Sequence, residues 1–262
     1  MAKSQILREG SLKITILGTS AVYPGAGEAC SGFLVEEGNV KLLVDCGTGI
    51  LSNLQKYSNL CDISDMVISH MHADHFLDLV PYRYALRYGL ENADCKPRLY
   101  LPPGGIKILH RVVDSFAESD TFFSDVMEVS EYYPGRPLSL GNLLIEFVPV
   151  YHYIPTWAIS IVTSKKLAYS ADSGMCPGLL QVAKDADLFI CNIGACLTNR
   201  KTDNWGHLRP SQAGKLARDA GVGRLLLSHL WPECNRTAAV ADAAEIFNGS
   251  VELAKACFTY NL

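Results

Sequence analysis

Apolar and polar residues follow two different periods along this chain. Short apolar runs rich in β-branched residues are typical of strands, whereas longer segments with apolar positions three and four apart are typical of helices. The first kind predicts strands at residues 13–17, 32–35, 41–44, 66–69, 98–101, 143–148, 157–162, 167–169, 188–191 and 224–228. The second predicts helices at residues 49–57, 76–88, 106–116, 178–184, 211–220 and 238–247.

Strands that alternate with helices indicate a layered α/β fold. The early strands are joined as a hairpin through the turn Glu36-Glu37-Gly38-Asn39, so a purely doubly wound parallel sheet does not fit. A sandwich of two mixed sheets flanked by helices fits better. The 262 residues contain no repeat or linker, and we expect one domain over residues 12–262 with residues 1–11 as a loose extension.

Five of the predicted apolar runs end in, or just before, Asp or His. If neighbouring strands point the same way, their ends meet at one rim of a sheet, where α/β proteins bind ligands. The pattern therefore predicts a His/Asp cluster on one rim, formed by Asp45, His70, His152, Asp172 and His229.

The densest part of this pattern is His70-Met71-His72-Ala73-Asp74-His75. In an extended segment, residues two apart face the same side, so His70 and His72 can share one ion while Asp74 and His75 turn toward a second. A lone histidine is more often a hydrogen-bonded residue than a ligand, but six of the seven histidines lie at strand ends or beside Gly in this pattern. We therefore expect two divalent transition-metal ions, zinc first, with manganese or iron as alternatives.

His-x-His-x-Asp-His, together with the other strand-end residues, resembles the metallo-β-lactamase superfamily over nearly the whole chain. The resemblance implies a hydrolase with a four-layer αββα sandwich. It also implies the ligands: His70, His72 and His152 for one ion, Asp74, His75 and His229 for the other, and Asp172 bridging both. Asp45 would orient ligands from behind the site, or else simply open the turn at Cys46-Gly47.

Gly206-His207, followed by a helix and the strand that ends in His229, resembles ribonuclease Z and related small phosphodiesterases. This resemblance implies a catalytic or phosphate-contacting role for His207, and we count Asp74 with it among the catalytic residues. The alternative for His207 is a polar residue that caps a helix start. Where ribonuclease Z has a Glu that orients its catalytic histidine, this chain has Asn192, which can still accept a hydrogen bond.

Ribonuclease Z also has a long basic arm that grips tRNA, between the positions of His152 and Asp172. Only 20 residues separate these two positions here, so no room remains for the arm. The resemblance is therefore closer to the armless group that includes the cyclic phosphodiesterase of phosphonate utilisation.

Two further features concern the surroundings of the predicted metal cluster. Arg83 and Arg87 lie four apart on one predicted helix face and could bind a substrate phosphate, although a solvated helix face is the more frequent role of such a pair. Phe122-Phe123 resembles an exposed loop tip within the segment around Glu118-Ser119-Asp120-Thr121. It would cover the site or contact a second subunit, so a homodimer is one of the alternatives for the oligomeric state.

Composition limits the surroundings and partners of the protein. Nine cysteines without a Cys-x-x-Cys pair argue against a disulfide framework and indicate small buried side chains in a reducing compartment. No apolar run approaches the ~18 residues of a membrane helix, so we expect a cytoplasmic protein with no membrane partner. A net charge of −4 gives no basic surface for long nucleic acids.

Together these features predict a metal-dependent phosphodiesterase that cleaves small or cyclic nucleotide phosphodiesters with a two-metal-activated hydroxide. A tRNA 3′-end nuclease, or a thioester or lactone hydrolase, are the alternatives within the same fold. A binding module that kept the fold without catalysis is disfavoured, because every expected ligand is present.

Overall fold

The first of two seven-stranded sheets is antiparallel on one side and parallel on the other. The computed structural model describes residues 11–89, 95–117, 121–194 and 206–262. The strands of this sheet are β1 (Lys13–Gly18), β2 (Gly32–Glu37), β3 (Val40–Val44), β4 (Asp65–Val67), β5 (Arg98–Leu101), β6 (Glu128–Glu131) and β14 (Phe258–Asn261). Their order is β14-β1-β2-β3-β4-β5-β6, with antiparallel pairing from β14 to β3 and parallel pairing from β3 to β6.

The second sheet also combines a parallel and an antiparallel half. Its strands are β7 (Leu138–Leu140), β8 (Leu143–Val150), β9 (Thr156–Val162), β10 (Lys166–Tyr169), β11 (Leu188–Asn192), β12 (Arg224–Ser228) and β13 (Ser250–Leu253). They are ordered β13-β12-β11-β10-β9-β8-β7, parallel from β13 to β10 and antiparallel from β10 to β7. The two mixed sheets confirm the predicted fold class.

The helices occupy the positions that the periodicity predicts. They are α1 (Ile50–Leu54), α2 (Ala73–Phe76), α3 (Leu79–Tyr84), α4 (Gly105–Val113), α5 (Pro177–Ala183), α6 (Pro210–Asp219) and α7 (Arg236–Ala244). The single helix predicted at residues 76–88 is instead α2, α3 and a π-helical turn, Ala85–Gly89. Pro81 explains the new start, because in the first turn of α3 its missing N–H interrupts no intrahelical hydrogen bond.

Three hydrophobic clusters separate the four layers. One lies between the sheets and joins Phe33 of β2 to Ile159 of β9. The second packs the outer face of the first sheet against α1, α3 and α4, and contains Leu43 and Leu109. The third does the same for the second sheet with α5, α6 and α7. Since full burial of a large apolar side chain contributes about 1.5–3 kcal/mol, these clusters hold the rims of both sheets in fixed positions.

Four strands that the sequence patterns did not predict, β6, β7, β13 and β14, are the edge strands of the two sheets. Edge strands are short and carry polar residues that discourage pairing with other chains, and this weakens the local strand signal. In β6, for example, the sequence Glu-Val-Ser-Glu is entirely half-buried or exposed.

The structure corrects the prediction for the cysteines in part. Cys61 and Cys95 form a disulfide across 34 positions of the chain, where the scattered pattern predicted only free thiols. Cys30, Cys46 and Cys191 are free and buried, as predicted. The pairing depends on the approach of two distant segments, which spacing along the chain does not reveal.

The described helices are all too short or too polar to cross a bilayer. Residues 1–10 of the predicted extension, and residues 118–120 of the predicted loop tip, lie outside the described ranges.

Candidate metal centre

The predicted His/Asp cluster lies where strand ends of the two sheets meet. Asp45 follows β3, and His70, His72 and α2 with Asp74 and His75 follow β4. The second sheet contributes His152 after β8, Asp172 after β10 and His229 directly after β12. Left-handed backbone at Asp45 (φ 56°) and His229 (φ 59°) turns the chain sharply at two of these ends. Such conformations are uncommon for residues other than glycine and often occur at functional sites.

His70, His72, His152 and Asp172 form the first candidate ligand group. The Nε2 atom of His152 lies 3.1 Å from Nδ1 of His72. Asp172 Oδ2 lies 3.7 Å from His70 Nε2 and 3.8 Å from His152 Nε2. Ligand atoms bound tetrahedrally at about 2.0–2.1 Å from one zinc ion lie roughly 3.3 Å apart, so this spacing fits a shared cation.

Asp74, His75, Asp172 and His229 form the second group. His229 Nε2 lies 3.2 Å from Asp74 Oδ2 and 3.3 Å from Asp172 Oδ2. His75 Nε2 lies 3.4 Å from the same Asp172 oxygen. Because Asp172 belongs to both groups through Oδ2, its carboxylate has the position of a bridging ligand.

Outer hydrogen bonds fix which ring nitrogen faces the cluster. The Nδ1 atom of His75 lies 2.8 Å from Asp45 Oδ2, and that of His152 lies 2.7 Å from the carbonyl oxygen of Gly206. Both acceptors require a proton on Nδ1, so Nε2 is the ring nitrogen left to bind a metal ion. Across the described ranges, the buried Nε2 atoms of His70 and His75 have no hydrogen-bond partner, as expected for atoms placed to bind a cation.

Asp45 connects the two groups from behind. Its Oδ1 accepts the backbone N–H of Ser69 at 2.7 Å, and its Oδ2 accepts the Ser69 hydroxyl at 2.9 Å and the Tyr169 hydroxyl at 2.8 Å, besides the His75 ring. The Ser69 oxygen, having donated its proton to Asp45, accepts Nδ1–H of His70 at 3.0 Å. One fully buried carboxylate therefore orients a histidine of each group. The prediction of an orienting role for Asp45 agrees with these contacts, and the chain also turns there.

The carboxylates and histidines shift one another's protonation in the absence of metal. Burial opposes ionisation of Asp172, but His229 and His75 outweigh it and hold the pKa of the carboxyl well below its usual range. Burial lowers the pKa of His70, so its ring is neutral and able to bind a metal. Burial also opposes protonation of His75, yet Asp172, Asp74 and Asp45 together raise its pKa well above the ordinary value. The carboxylates around His75 thus attract positive charge, which divalent ions would supply.

His207 lies beside the ligands and belongs to neither group. Its ring stacks on His229, with centroids 5.4 Å apart and planes 17° apart, and meets the His152 ring at 4.9 Å. Within the described chain its buried Nδ1 has no hydrogen-bond partner. Burial lowers the pKa of His207 to about 4, so the imidazole is neutral near pH 7 and offers one N–H and one lone pair.

Asn192 contacts a candidate ligand, whereas Arg83 is paired within the protein. Asn192 Nδ2 donates to Asp172 Oδ1 at 2.9 Å, so this residue holds the shared carboxylate; among the described residues no hydrogen bond joins Asn192 to His207. Arg83 is buried, and its guanidinium donates to the Phe122 carbonyl and to Asp125, both at 2.7 Å. The Arg87 Nε lies 3.8 Å from the same Asp125 carboxylate. These ion pairs within the protein leave Arg83 little capacity to bind a substrate phosphate, which corrects that prediction.

Phe122 and Phe123 are buried in the cluster on the outer face of the first sheet, so the prediction of an exposed tip is wrong. The Arg83 guanidinium lies over the Phe122 ring at 4.4 Å and helps to hold it there. Polar neighbours in sequence suggested exposure, whereas the packing against α3 decided burial.

The contact between Val22 and Asp74 was not predicted from the sequence. The backbone N–H of Val22 donates to Asp74 Oδ2 at 2.8 Å, and the Val22 φ of 61° is rare for a β-branched residue. A main-chain donor leaves no side-chain signal in the sequence. Ser69 and Tyr169 were also missed, since a hydroxyl that orients a ligand is not distinguishable from one in the core.

The fold and the paired His/Asp groups define this protein as a metallo-hydrolase with the metallo-β-lactamase fold. The sequence profile of one family, described as Anti-Pycsar protein Apyc1, matches residues 12–199. The chain belongs to that family.

Individual relatives agree with this class. The probable metallo-hydrolase YhfI of Bacillus subtilis (strain 168) is 32% identical over 254 residues, which cover 95% of this chain and 99% of YhfI. Ribonuclease Z of Myxococcus xanthus (strain DK1622) is 25% identical over 305 residues, which cover 96% of this chain and 98% of the ribonuclease.

Two solved structures show the same fold. The crystal structure of YhfI, 28% identical, covers 97% of this chain and 100% of its own with a TM-score of 0.85. A diphosphatase of the PhnP family, 15% identical, covers 96% of this chain and 97% of its own with a TM-score of 0.75. The latter similarity concerns the fold alone.

Proposed function

We propose that this protein is a two-metal phosphodiesterase that cleaves small or cyclic nucleotide phosphodiesters. The observation that carries the proposal is the pair of ligand groups that share Asp172, with the ring of His207, which belongs to neither group, directly beside them. Seven ligands in two groups match the needs of two ions, and an extra imidazole suits a reaction that develops negative charge.

The residues that would hold the ions are those of the two groups. His70, His72 and His152 would bind one ion, Asp74, His75 and His229 the other, and Asp172 both. When bound, two such ions would acidify a water molecule and neutralise charge on the phosphodiester oxygens. Zinc suits this donor set, with manganese or iron as alternatives.

The remaining work falls to residues of the chain. Asp45 and Asn192 hold the ligands in one orientation, so that the site needs little rearrangement during the reaction. Asp74 has a second role beside binding, because its carboxylate, oriented by the Val22 N–H, can accept a hydrogen bond from the attacking water. The negative charge of a bound phosphodiester would raise the pKa of His207, so that the ring takes up a second proton from solvent and, as imidazolium, can donate it to the leaving oxygen.

Charge and chain length support a small substrate. A net charge of −4 supplies no general attraction for a long polyanion. The alignment with the Myxococcus ribonuclease extends over 305 positions, more than the 262 residues of this chain, so the ribonuclease has residues without a counterpart here. A missing substrate-gripping segment is consistent with that difference.

Metal analysis and a substrate panel test the proposal. Purified protein should contain close to two equivalents of transition metal, and removal of the metal with a chelator should abolish hydrolysis until metal is returned. The panel compares a cyclic nucleotide, an activated phosphodiester, a precursor tRNA, a glutathione thioester and a lactone. We expect turnover of the phosphodiesters; exclusive turnover of the thioester or lactone would replace the phosphodiesterase assignment.

A tRNA 3′-end nuclease is the second candidate, since ribonuclease Z is among the relatives. Accurate, efficient processing of the precursor tRNA at physiological salt would favour it over the small-substrate proposal. A homodimer and a cytoplasmic location remain predictions, which sedimentation and cell fractionation address.

A further inference from the structure

Tyr153 is an exposed aromatic residue at the edge of the candidate metal centre. It directly follows His152, and the residue is 61% exposed. The Tyr153 ring centroid lies 4.9 Å from that of His152 and 6.2 Å from that of His207. The ring is therefore adjacent to both a candidate ligand and the candidate proton donor.

The position of this ring is built into the fold. A Cβ atom placed on Gly206 would lie 3.0 Å from the Tyr153 ring and 2.7 Å from His152 Nδ1, so only glycine allows both rings to pack on the backbone at residue 206. The Gly206 carbonyl is also the acceptor that fixes the His152 ring. One backbone segment thus supports the tyrosine and the candidate ligand together.

Contacts within the protein cover only a small part of Tyr153. In the described part of the chain its hydroxyl has no hydrogen-bond partner, and most of the residue's surface is exposed to solvent. Tyr23, which follows Val22 in the sequence, differs in this respect. Its hydroxyl donates to Glu233 at 2.5 Å and its ring contacts Trp231 edge to face, so Tyr23 is held between other side chains.

We propose that the Tyr153 ring stacks on the nucleobase of the substrate and thereby determines preference for nucleotides over other phosphodiesters. This inference rests on the proposed function. In a nucleotide the base lies one sugar ring away from the phosphate, and Tyr153 lies one residue away from a ligand of the metal that would bind that phosphate. Every base has a π-face, so stacking suits nucleotides in general.

The test compares two substrates that differ only in the base: a 3′,5′-cyclic nucleotide, and the same cyclic phosphodiester of 1-deoxyribose, which has hydrogen in place of the base. Tyr153→Ala should raise KM for the nucleotide about tenfold, the effect of a lost base–aromatic stack, with kcat nearly unchanged. Tyr153→Phe keeps the ring and should restore the wild-type KM. The base-free compound should show the same kcat/KM with all three proteins.

Tyr133→Ala provides the matched control. Tyr133 is similarly exposed, at 68%, and its ring contacts Arg136, so its removal should leave both substrates unaffected. Equal losses on both substrates in Tyr153→Ala, or no loss on either, would overturn the stacking role while leaving the phosphodiesterase intact. A wild-type protein that hydrolyses neither compound would overturn the proposed function and the stacking role with it.

Discussion

Substitution of Asp45 by asparagine should weaken both metal retention and the fold. Asn has almost the same shape and tolerates the left-handed backbone at this position (φ 56°), so the change isolates the carboxylate charge and one acceptor. At Asp45, Oδ2 accepts three donors and Oδ1 accepts one, the Ser69 N–H. The Asn carbonyl can serve only one of these two positions.

The expected loss of stability in Asp45→Asn follows from the number of hydrogen-bond donors around Asp45. The best orientation of Asn keeps its oxygen toward the three donors and turns its NH₂ group toward the Ser69 N–H. Two buried donors then have no acceptor, at about 1–3 kcal/mol each, so we expect the free energy of unfolding to fall by about 2–6 kcal/mol. Loss of an outer partner of metal-binding histidines typically weakens metal affinity by about 10–100-fold.

Urea unfolding of metal-free protein measures the first effect, and competition for zinc with a chromophoric chelator measures the second. Asp62→Asn is the control, because among the described residues the Asp62 carboxylate pairs with Lys41 alone, in a partly exposed ion pair worth no more than about 1 kcal/mol. Tyr169→Phe removes one of the four donors to Asp45, together with the 3.2 Å bond that the hydroxyl accepts from Asn192 Nδ2, and should give an intermediate loss even if Asp45→Asn folds poorly. A folded Asp45→Asn protein that holds zinc as tightly as Asp62→Asn would refute the orienting role.

Three further changes test other parts of the structure. His207→Ala should retain both ions yet lower kcat by about 10²–10⁴-fold, because a positioned proton donor is lost while the ligands remain; metal depletion would instead make His207 a ligand. In the double variant Cys61→Ser/Cys95→Ser, the free energy of unfolding measured in urea should fall by up to about 4 kcal/mol, as expected for opening a loop of 34 residues. Equal stability would mean that the disulfide is not formed in the purified protein. Val22→Asn should raise the free energy of unfolding by about 1 kcal/mol, because Asn tolerates φ near 61° better than a β-branched residue. A lower melting temperature of this variant would contradict backbone strain at Val22.

The sequence alone predicted the central strands, the helices and the candidate ligands, because each leaves a local signal. A buried strand such as β12 is an apolar run, and the position where it stops, at His229, marks the rim of the sheet. His70 to His75 is recognisable because its ligand types and spacing lie within a few residues. The local signal failed at the sheet edges: β6, β7, β13 and β14 carry polar or half-exposed residues, and only their neighbours in space make them strands.

Tertiary structure alone decided which polar groups meet. Asp45 receives donors from positions 69, 75 and 169, and Asn192 finds Asp172, because β3, β4, β10 and β11 end at one rim. Arg83 could have faced a phosphate or Asp125, and the packing of the segment at Phe122 chose Asp125. The spacing of apolar residues shows which side of a helix or strand is apolar, because this pattern involves only residues that are close together in the sequence. The partner of a buried charge or of a cysteine depends on contacts between residues distant in sequence, which form only when the layers pack.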